Sequence, residues 1–249
     1  MKKLIVIVFI IGFAAGSFAE DYLDMNFFIE PKYNFDKTNL INFHVKNIRN
    51  DSIRQVNIFA GRILEKPRSD SMTVSFLNAI QPHLSSPVDY LYYEKDVEFK
   101  LLISNIESDS IPIIKNEIIK TDSMKIGIFS IYTPDFVVKN NIAAHSEFDF
   151  NVFEIAKEQA EYLAKRTDYV IMLSSLSKYI DNDVVKNIPV DAVISFDYQK
   201  KTNSVLSNHL TKFYSILTNQ GRYGKLRLIY KNGKIKKKWQ EIEFDVGSH

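Results

Sequence analysis

The stretch Lys125-Ile126-Gly127-Ile128-Phe129-Ser130-Ile131-Tyr132-Thr133-Pro134-Asp135 decides how the chain can be arranged. It is a run of apolar and β-branched residues ending in Thr-Pro-Asp, a pattern typical of a buried strand that enters a sharp turn. Gly127 allows another part of the backbone to approach closely, and Pro134 cannot continue a sheet ladder. The stretch therefore predicts a buried strand over Lys125–Tyr132.

Strand and helix patterns alternate on both sides of this strand. The preceding run, Ile111–Ile119, predicts a neighbouring strand joined to it by a turn at Thr121-Asp122-Ser123. Asn151–Arg166 carries its apolar residues on one face and predicts an amphipathic helix. Asn232-Gly233 is a strong signal for a two-residue hairpin turn. Strands alternating with helices, followed by strands alone, indicate an α/β sandwich.

The remaining elements are predicted from shorter patterns. Further strands are expected over Tyr22–Glu30, Val56–Gly61, Val88–Tyr93, Phe99–Ser104, Tyr169–Leu173, Val190–Ser195, Thr211–Thr218, Tyr223–Tyr230 and Lys234–Asp245. Further helices are expected over Leu40–Ile48, Ser71–Leu84 and Asn182–Asn187.

Composition indicates an ordinary globular domain. The chain has 249 residues, 45% of them apolar, and a formal net charge of +2. This length supplies one good-sized core, and the near-neutral charge gives no reason to expect a nucleic-acid partner. There is no Cys, so no disulfide contributes and stability must come from the core alone.

The first residues resemble a secretory signal peptide. Met1-Lys2-Lys3 is basic, Leu4–Phe13 is apolar, and Ala14–Ala19 ends in a small residue suited to cleavage before Glu20. The apolar run is short for a transmembrane helix, so cleavage is favoured over an uncleaved membrane anchor. We expect a signal peptide over residues 1–19 and one domain over residues 20–249. The mature protein would be periplasmic or secreted, of bacterial origin, without a transmembrane anchor.

Several segments resemble the 5′-nucleotidase branch of the metallophosphoesterases. Lys125–Asp135 resembles that family's K-V-G-I-I-G-L-T-T-P-D, and Asp168–Ser175 resembles its D-x-V-I-x-L-S-H strand. Leu102–Ile106, Val190–Ile194 and Gln220–Leu228 resemble three further segments in the same order. The resemblance covers most of the mature chain but only the family's N-terminal domain, so we expect no C-terminal substrate-recognition domain. It implies an α/β fold, a four-layer αββα sandwich with metals on loops at the strand ends.

The resemblance also implies two divalent metals, which clamp the attacking and leaving oxygens of a phosphoester. Such a site needs anionic carboxylates and neutral imidazoles. At the motif positions this sequence has other residues. The first motif, N-D-x-H, would fall near Ile29–Lys32, where no D-x-H occurs. The remaining positions carry Arg62 for a bridging Asp, Lys95 for Asn, Asp96 for His, Ser175 for His, and Asp197 and Gln199 for the final two His.

The five His residues do not restore this set, because they lie elsewhere, at His44, His83, His145, His209 and His249. Arg62 and Lys95 would also repel the metals. At ~4 Å and an effective dielectric constant of ~20, each contact costs about 4 kcal/mol per unit charge. The sequence therefore predicts a degenerate site with no catalytic residues and no metal or other cofactor.

Three interpretations of the altered site follow. Arg62 and Lys95 can form a metal-free anion pocket, since Arg matches phosphate oxygens bidentately. Alternatively they pair with Asp96 and Asp197 and fill the space, which we favour because loss of ligands commonly leaves only structure. Asp96, Asp197 and Glu30 would, less favourably, hold a single Mg²⁺ or Ca²⁺.

The basic run Lys234–Trp239 has two interpretations as well. It can contact phosphate-bearing polymers or a membrane surface. An edge strand that Lys residues protect from further pairing is the favoured interpretation.

The sequence as a whole predicts an exported pseudoenzyme with a 5′-nucleotidase-like fold. It would act by binding, either an envelope protein or a small anionic ligand. The alternative is a divergent phosphohydrolase that retains one metal.

Overall fold

The chain is described by a computed structural model over residues 21–29, 55–60, 79–81, 99–107, 113–133, 147–176, 178–195, 212–215 and 222–243. Within these ranges the strands are β1 (Asp21–Ile29), β2 (Gln55–Ala60), β3 (Ala79–Gln81), β4 (Phe99–Leu102), β5 (Ile106–Glu107), β6 (Ile113–Ile114), β7 (Asn116–Lys120), β8 (Lys125–Ile131), β9 (Glu147–Phe148), β10 (Tyr169–Ser174), β11 (Ala192–Ser195), β12 (Lys212–Ser215), β13 (Arg222–Lys231) and β14 (Lys234–Glu243). The helices are α1 (Val152–Ala164) and α2 (Lys178–Val185).

Two large sheets account for most of these strands. The first has the order β14-β13-β1-β2-β3-β4-β6 and the second the order β12-β11-β10-β8-β7. Strands β1, β2, β3, β4 and β6 are parallel, and so are β8, β10, β11 and β12. A small antiparallel pair, β5 and β9, lies apart from both. The arrangement is a mixed α/β fold, as the alternating pattern predicted.

The central strand β8 lies between two cores. Ile126 and Ile128 are fully buried in the core between the two sheets, together with Met25 and Phe27 of β1. Phe129 and Ile131 are buried on the other side, where α1 and α2 cover the second sheet. The described elements thus form a helix layer and two sheet layers. The fourth layer implied by the resemblance remains a prediction.

Both sheets point their parallel strands toward the same edge. Asp21, at the start of β1, accepts hydrogen bonds from the Thr121 hydroxyl at 2.5 Å and the Ser123 N–H at 2.7 Å, just before β8 begins. Where β4 ends, the Ser104 N–H donates to the Ser130 carbonyl near the end of β8. Strand starts therefore meet strand starts, and ends meet ends. We call the shared side at which these strands end the carboxyl edge.

Helix α1 forms where the amphipathic pattern predicted it. The Asn151 side chain caps it by accepting from the Glu154 N–H at 3.4 Å. Val152, Ala156, Ala160 and Leu163 are buried against the second sheet. These apolar residues recur every three or four positions, so one stripe of the helix meets the sheet.

Two predicted helices need correction. The Ser71–Leu84 helix is wrong at residues 79–81, which form β3 and pair with β2 and β4. A strand of three residues is too short to display its own period, so pairing partners decide its conformation. The Asn182–Asn187 helix in fact starts at Lys178 and ends at Val185. The predicted elements Leu40–Ile48 and Val88–Tyr93 and the signal peptide over residues 1–19 lie outside the described residues.

Among the described residues, none belongs to a helix with both the length and the apolar character needed to span a bilayer.

Gly127 marks a close approach between β8 and α1. A Cβ placed on Gly127 would lie 3.0 Å from both Cβ and Cδ2 of Leu163, and 3.1 Å from the Thr167 hydroxyl. We therefore expect Gly127→Ala to lower the free energy of unfolding by about 1–3 kcal/mol through overpacking. Urea denaturation measures this loss. An unchanged unfolding midpoint would show that α1 can move away from the strand without cost.

Candidate functional site

The candidate site lies at the carboxyl edge of the second sheet, where β8 and β10 end side by side. The Ser175 N–H donates to the Ile131 carbonyl at 3.1 Å, which continues the ladder by one residue. The Ser175 hydroxyl accepts a hydrogen bond from the Thr133 N–H at 3.0 Å. Ser175 is half-buried, and its side chain ties the exit of β8 to the exit of β10.

A second contact fixes the turn from β10 into α2. The Ser174 hydroxyl donates to a carboxylate oxygen of Asp181 at 2.5 Å and accepts from the Leu176 N–H at 3.0 Å. Ser174 and Asp181 are both fully buried. Asp181 lies in the first turn of α2, where a negative charge also interacts favourably with the helix dipole. Asp181 was not among the predicted site residues, and its signal in the sequence was an acidic residue placed shortly after a buried strand.

Asn105 connects the two sheets at the same edge. Its side-chain oxygen accepts from the Tyr132 N–H at 3.0 Å, and its side-chain nitrogen donates to the Tyr132 carbonyl at 3.0 Å. The Asn105 carbonyl accepts from the Asp149 N–H, two residues before the α1 cap. Asn105 thus positions both the end of β8 and the start of α1. It stands in the L-x-S-A-N-I-like segment, but sequence reasoning gave it no role.

The other predicted site residues cannot be placed beside Ser175. Arg62, Lys95, Asp96, Asp197, Gln199 and Glu30 lie outside the described residues. Both their pairing and the anion pocket therefore remain predictions. Within the described ranges, no three His, Cys, Asp or Glu side chains are grouped so that they would hold a metal ion.

Solved structures supply the comparison that decides the fold. No protein-family model matches the chain, and no curated protein matches it in sequence. A Staphylococcus aureus protein assigned as a 5′-nucleotidase, solved with α-ketoglutarate, matches 92% of the chain with a TM-score of 0.67 and 11% identity. The NAD nucleotidase of Haemophilus influenzae matches 89% with a TM-score of 0.65 and 10% identity. The chain has the fold of the 5′-nucleotidase-like metallophosphoesterases.

The nucleotidase-like fold agrees with the expectation from Lys125–Asp135 and its companion segments. At such low identity the likeness establishes the fold alone. The chain spans 55% of the length of each of these two proteins. At a TM-score of 0.50 and 11% identity, the chain also resembles Plasmodium GAP50, described as the anchor in the inner membrane complex, over 91% of this chain and 86% of that one.

Of the predicted metal-site positions, the structure describes only residue 175, so the fit to a metal ligand can be tested there. A two-metal site takes imidazole and carboxylate ligands, and the resemblance predicts such an imidazole at residue 175. Ser175 offers a neutral hydroxyl that already accepts the Thr133 N–H. This position therefore does not fit a metal ligand, and no catalytic step is derived through a metal.

The Ser175 contact gives a stability prediction. We expect Ser175→Ala to lower the free energy of unfolding by about 1 kcal/mol, because the hydrogen bond from the Thr133 N–H to the Ser175 hydroxyl is lost. Ser123→Ala is the control, since Ser123 is exposed and uses its backbone N–H rather than its hydroxyl to bond Asp21. It should change stability by less than about 0.5 kcal/mol. Equal losses in both variants, measured by urea denaturation, would contradict a linking role for Ser175.

Proposed function

We propose that this protein acts by binding and not by two-metal phosphoester hydrolysis. The observation that carries the proposal is Ser175, at the position where the family pattern has a metal-binding His. Its hydroxyl holds the β8 exit to the β10 exit, so the position serves structure. The substitutions at Arg62 and Lys95 support the same conclusion, since cations there would oppose dications.

We further propose an envelope protein as the partner, and exposed apolar side chains near the carboxyl edge support this choice. Phe150, just before α1, is 68% exposed, and Tyr179, in the first turn of α2, is 74% exposed. Phe153 and Ile180 are exposed beside them in sequence. Asp149 bonds Asn105 at the carboxyl edge, which places the start of α1 there. Apolar surface of this kind commonly marks protein interaction sites.

GAP50 supports the proposal by example, because a protein of similar fold is described as an anchor. The signal peptide predicted over residues 1–19 would place the mature protein in the periplasm or outside the cell. A small anionic ligand held by Arg62 and Lys95 would be an additional binding activity of the same domain.

A phosphatase assay tests the proposal. The processed protein is incubated with p-nitrophenyl phosphate and with nucleoside 5′-monophosphates, in the presence of Mn²⁺, Zn²⁺ or Mg²⁺. We expect no turnover above the metal-only blank. Robust metal-dependent turnover would overturn the proposal.

The second candidate is a divergent phosphohydrolase with one metal, and the nucleotidase-like fold favours it. Its ligands would be Glu30, Asp96 and Asp197, which are oxygen donors suited to Mg²⁺. In that case Asp96→Asn and Asp197→Asn would each abolish the turnover seen in the assay. Turnover that survives both substitutions would exclude this candidate and point to a contaminating enzyme.

A further inference from the structure

The β13–β14 hairpin presents a cationic face on the side away from the core. Leu226 and Leu228 are buried between the sheets, and Trp239 packs on Phe27 with ring centroids 5.9 Å apart. Successive side chains of a strand point to opposite faces. The residues that alternate with these therefore point outward, and they include the basic residues Lys225, Arg227, Lys231, Lys234, Lys236 and Lys238.

Among the described residues, the carboxylate of Asp24 offsets the positive charges at one end of this face. Asp24 of β1 binds Lys225 at 2.7 Å and Arg227 at 2.6 Å. Lys234, Lys236 and Lys238 are exposed and form no ion pair with any described residue. Three successive outward positions of β14 thus carry uncompensated positive charge.

The register of the hairpin places like charges opposite one another. Arg227 is directly opposite Lys238, and Lys231 is directly opposite Lys234 beside the turn. Like charges facing each other across two strands destabilise a sheet. Lys residues along an edge strand protect it from further pairing, and β14 is the edge strand of the first sheet. Edge protection does not require Lys234 to face Lys231 of the inner strand β13. Asp24 offsets Arg227, whereas Lys234, Lys236 and Lys238 have no ion-pair partner among the described residues, and a local rule broken in this way is expected where a surface has a function.

We propose that this hairpin face binds an anionic lipid surface. Lys234, Lys236 and Lys238 are spaced by about 7 Å along β14, and Lys231 lies about 5 Å from Lys234 across the hairpin, so these charges form a flat array. A flat array matches a plane of anionic headgroups, whereas a small anion or a single polymer chain needs a pocket or groove. Tyr22, whose ring lies 4.9 Å from the Arg227 guanidinium, is on the same face. Tyr side chains favour the boundary between membrane and water.

Vesicle binding tests this proposal. The processed protein is mixed with phosphatidylcholine vesicles, and with matched vesicles in which a third of the lipid is phosphatidylglycerol. We expect binding to the anionic vesicles alone. Raising the salt from about 0.1 M to about 1 M should release the protein, because the Debye length falls from about 10 Å to about 3 Å.

The decisive variant carries Lys234→Gln, Lys236→Gln and Lys238→Gln. We expect its affinity for anionic vesicles to fall about a hundredfold, since each Lys near the surface contributes about fivefold. The matched control carries Lys157→Gln, Lys165→Gln and Lys186→Gln, which remove the same charge from other exposed positions. Its affinity should change less than about threefold, because these residues lie on or beside α1 and α2, which cover the side of the second sheet that faces away from the first sheet and its hairpin.

Four outcomes would overturn the proposal. They are equal binding to neutral and anionic vesicles, equal losses in the two triple variants, and binding to a sulfated polymer without binding to vesicles. The fourth is self-association of the hairpin variant with unchanged vesicle binding, which would assign these Lys residues to edge protection alone.

Discussion

Replacing Asn105 by Ala is expected to lower the free energy of unfolding by about 3–5 kcal/mol. The side chain is 1% exposed and makes two hydrogen bonds of 3.0 Å to the backbone of Tyr132. The substitution removes both bonds at a buried place where each lost partner costs about 1–3 kcal/mol. Urea denaturation measures the loss, and Asn116→Ala is the control. Asn116 makes one partly buried bond, to Gln159, and its loss should cost about 1 kcal/mol.

Asn105→Asp separates the charge of the side chain from its shape. The ionised carboxylate keeps an acceptor for the Tyr132 N–H but cannot donate to the Tyr132 carbonyl, and its burial is unfavourable. Burial raises the pKa of such a carboxyl in the folded state, so the protonated form is favoured there. Relative to the unsubstituted protein, the variant should be least stable at neutral pH and should recover as the pH falls. A deficit that stays constant with pH would contradict the inferred bonding.

Replacing Asp24 by Asn is expected to lower the free energy of unfolding by about 2 kcal/mol at neutral pH. The carboxylate accepts from Arg227 Nε and Nη2, each at 2.6 Å, and pairs with Lys225 at 2.7 Å. The expected loss is small for a carboxylate with two cationic partners, because the Arg227 side chain is 41% exposed and water screens the interaction. Asp183→Asn is the control. Its pair with Lys186 is exposed on both sides, so the loss should be within about 0.5 kcal/mol.

The stability lost in Asp24→Asn should become smaller as the pH falls. Burial alone raises the pKa of Asp24, but the hydrogen bonds and charges of Arg227 and Lys225 outweigh it, so the pKa lies below its ordinary value. A carboxyl with a depressed folded-state pKa stabilises the protein above its unfolded pKa, near 4, and loses this as pH falls through the folded value. The difference between the two proteins should be constant above about pH 5 and vanish in strong acid. A difference that grows toward low pH would contradict this.

The elements that sequence predicts best are those whose patterns are local. Strand β8 follows from its apolar run, and its antiparallel partner β7 follows from the short turn at Thr121-Asp122-Ser123. The hairpin turn follows from Asn232-Gly233, which adopt φ values of 54° and 73°. Both need a left-handed backbone that Asn and Gly tolerate. Strand β3 was not predictable, because its conformation depends on partners about 20 residues away on either side in sequence.

The candidate site was less accessible to sequence reasoning than the fold. The family pattern predicts that Ser175 stands where a metal-binding His would be, and this stays a prediction. The hydrogen bonds at this edge cannot be predicted from sequence, because the Ser175–Thr133 bond spans 42 residues and the Asn105–Tyr132 bonds span 27. Only a structure shows which distant backbone groups a short polar side chain reaches. Asp181 was missed for a different reason. Its hydrogen bond reaches from α2 back to Ser174 at the end of β10, and the sequence does not show the geometry of the turn between them.

We propose that this protein, with its nucleotidase-like fold, holds no two-metal centre. The most direct test is calorimetric titration of the processed, metal-stripped protein with Mn²⁺, Zn²⁺ and Mg²⁺. We predict that no ion binds tightly, because Ser175 offers only a hydroxyl and the family pattern aligns Arg62 and Lys95 with ligand positions. One bound ion that is lost with Asp96→Asn would favour the single-metal hydrolase. Two tightly bound ions per chain would contradict the account.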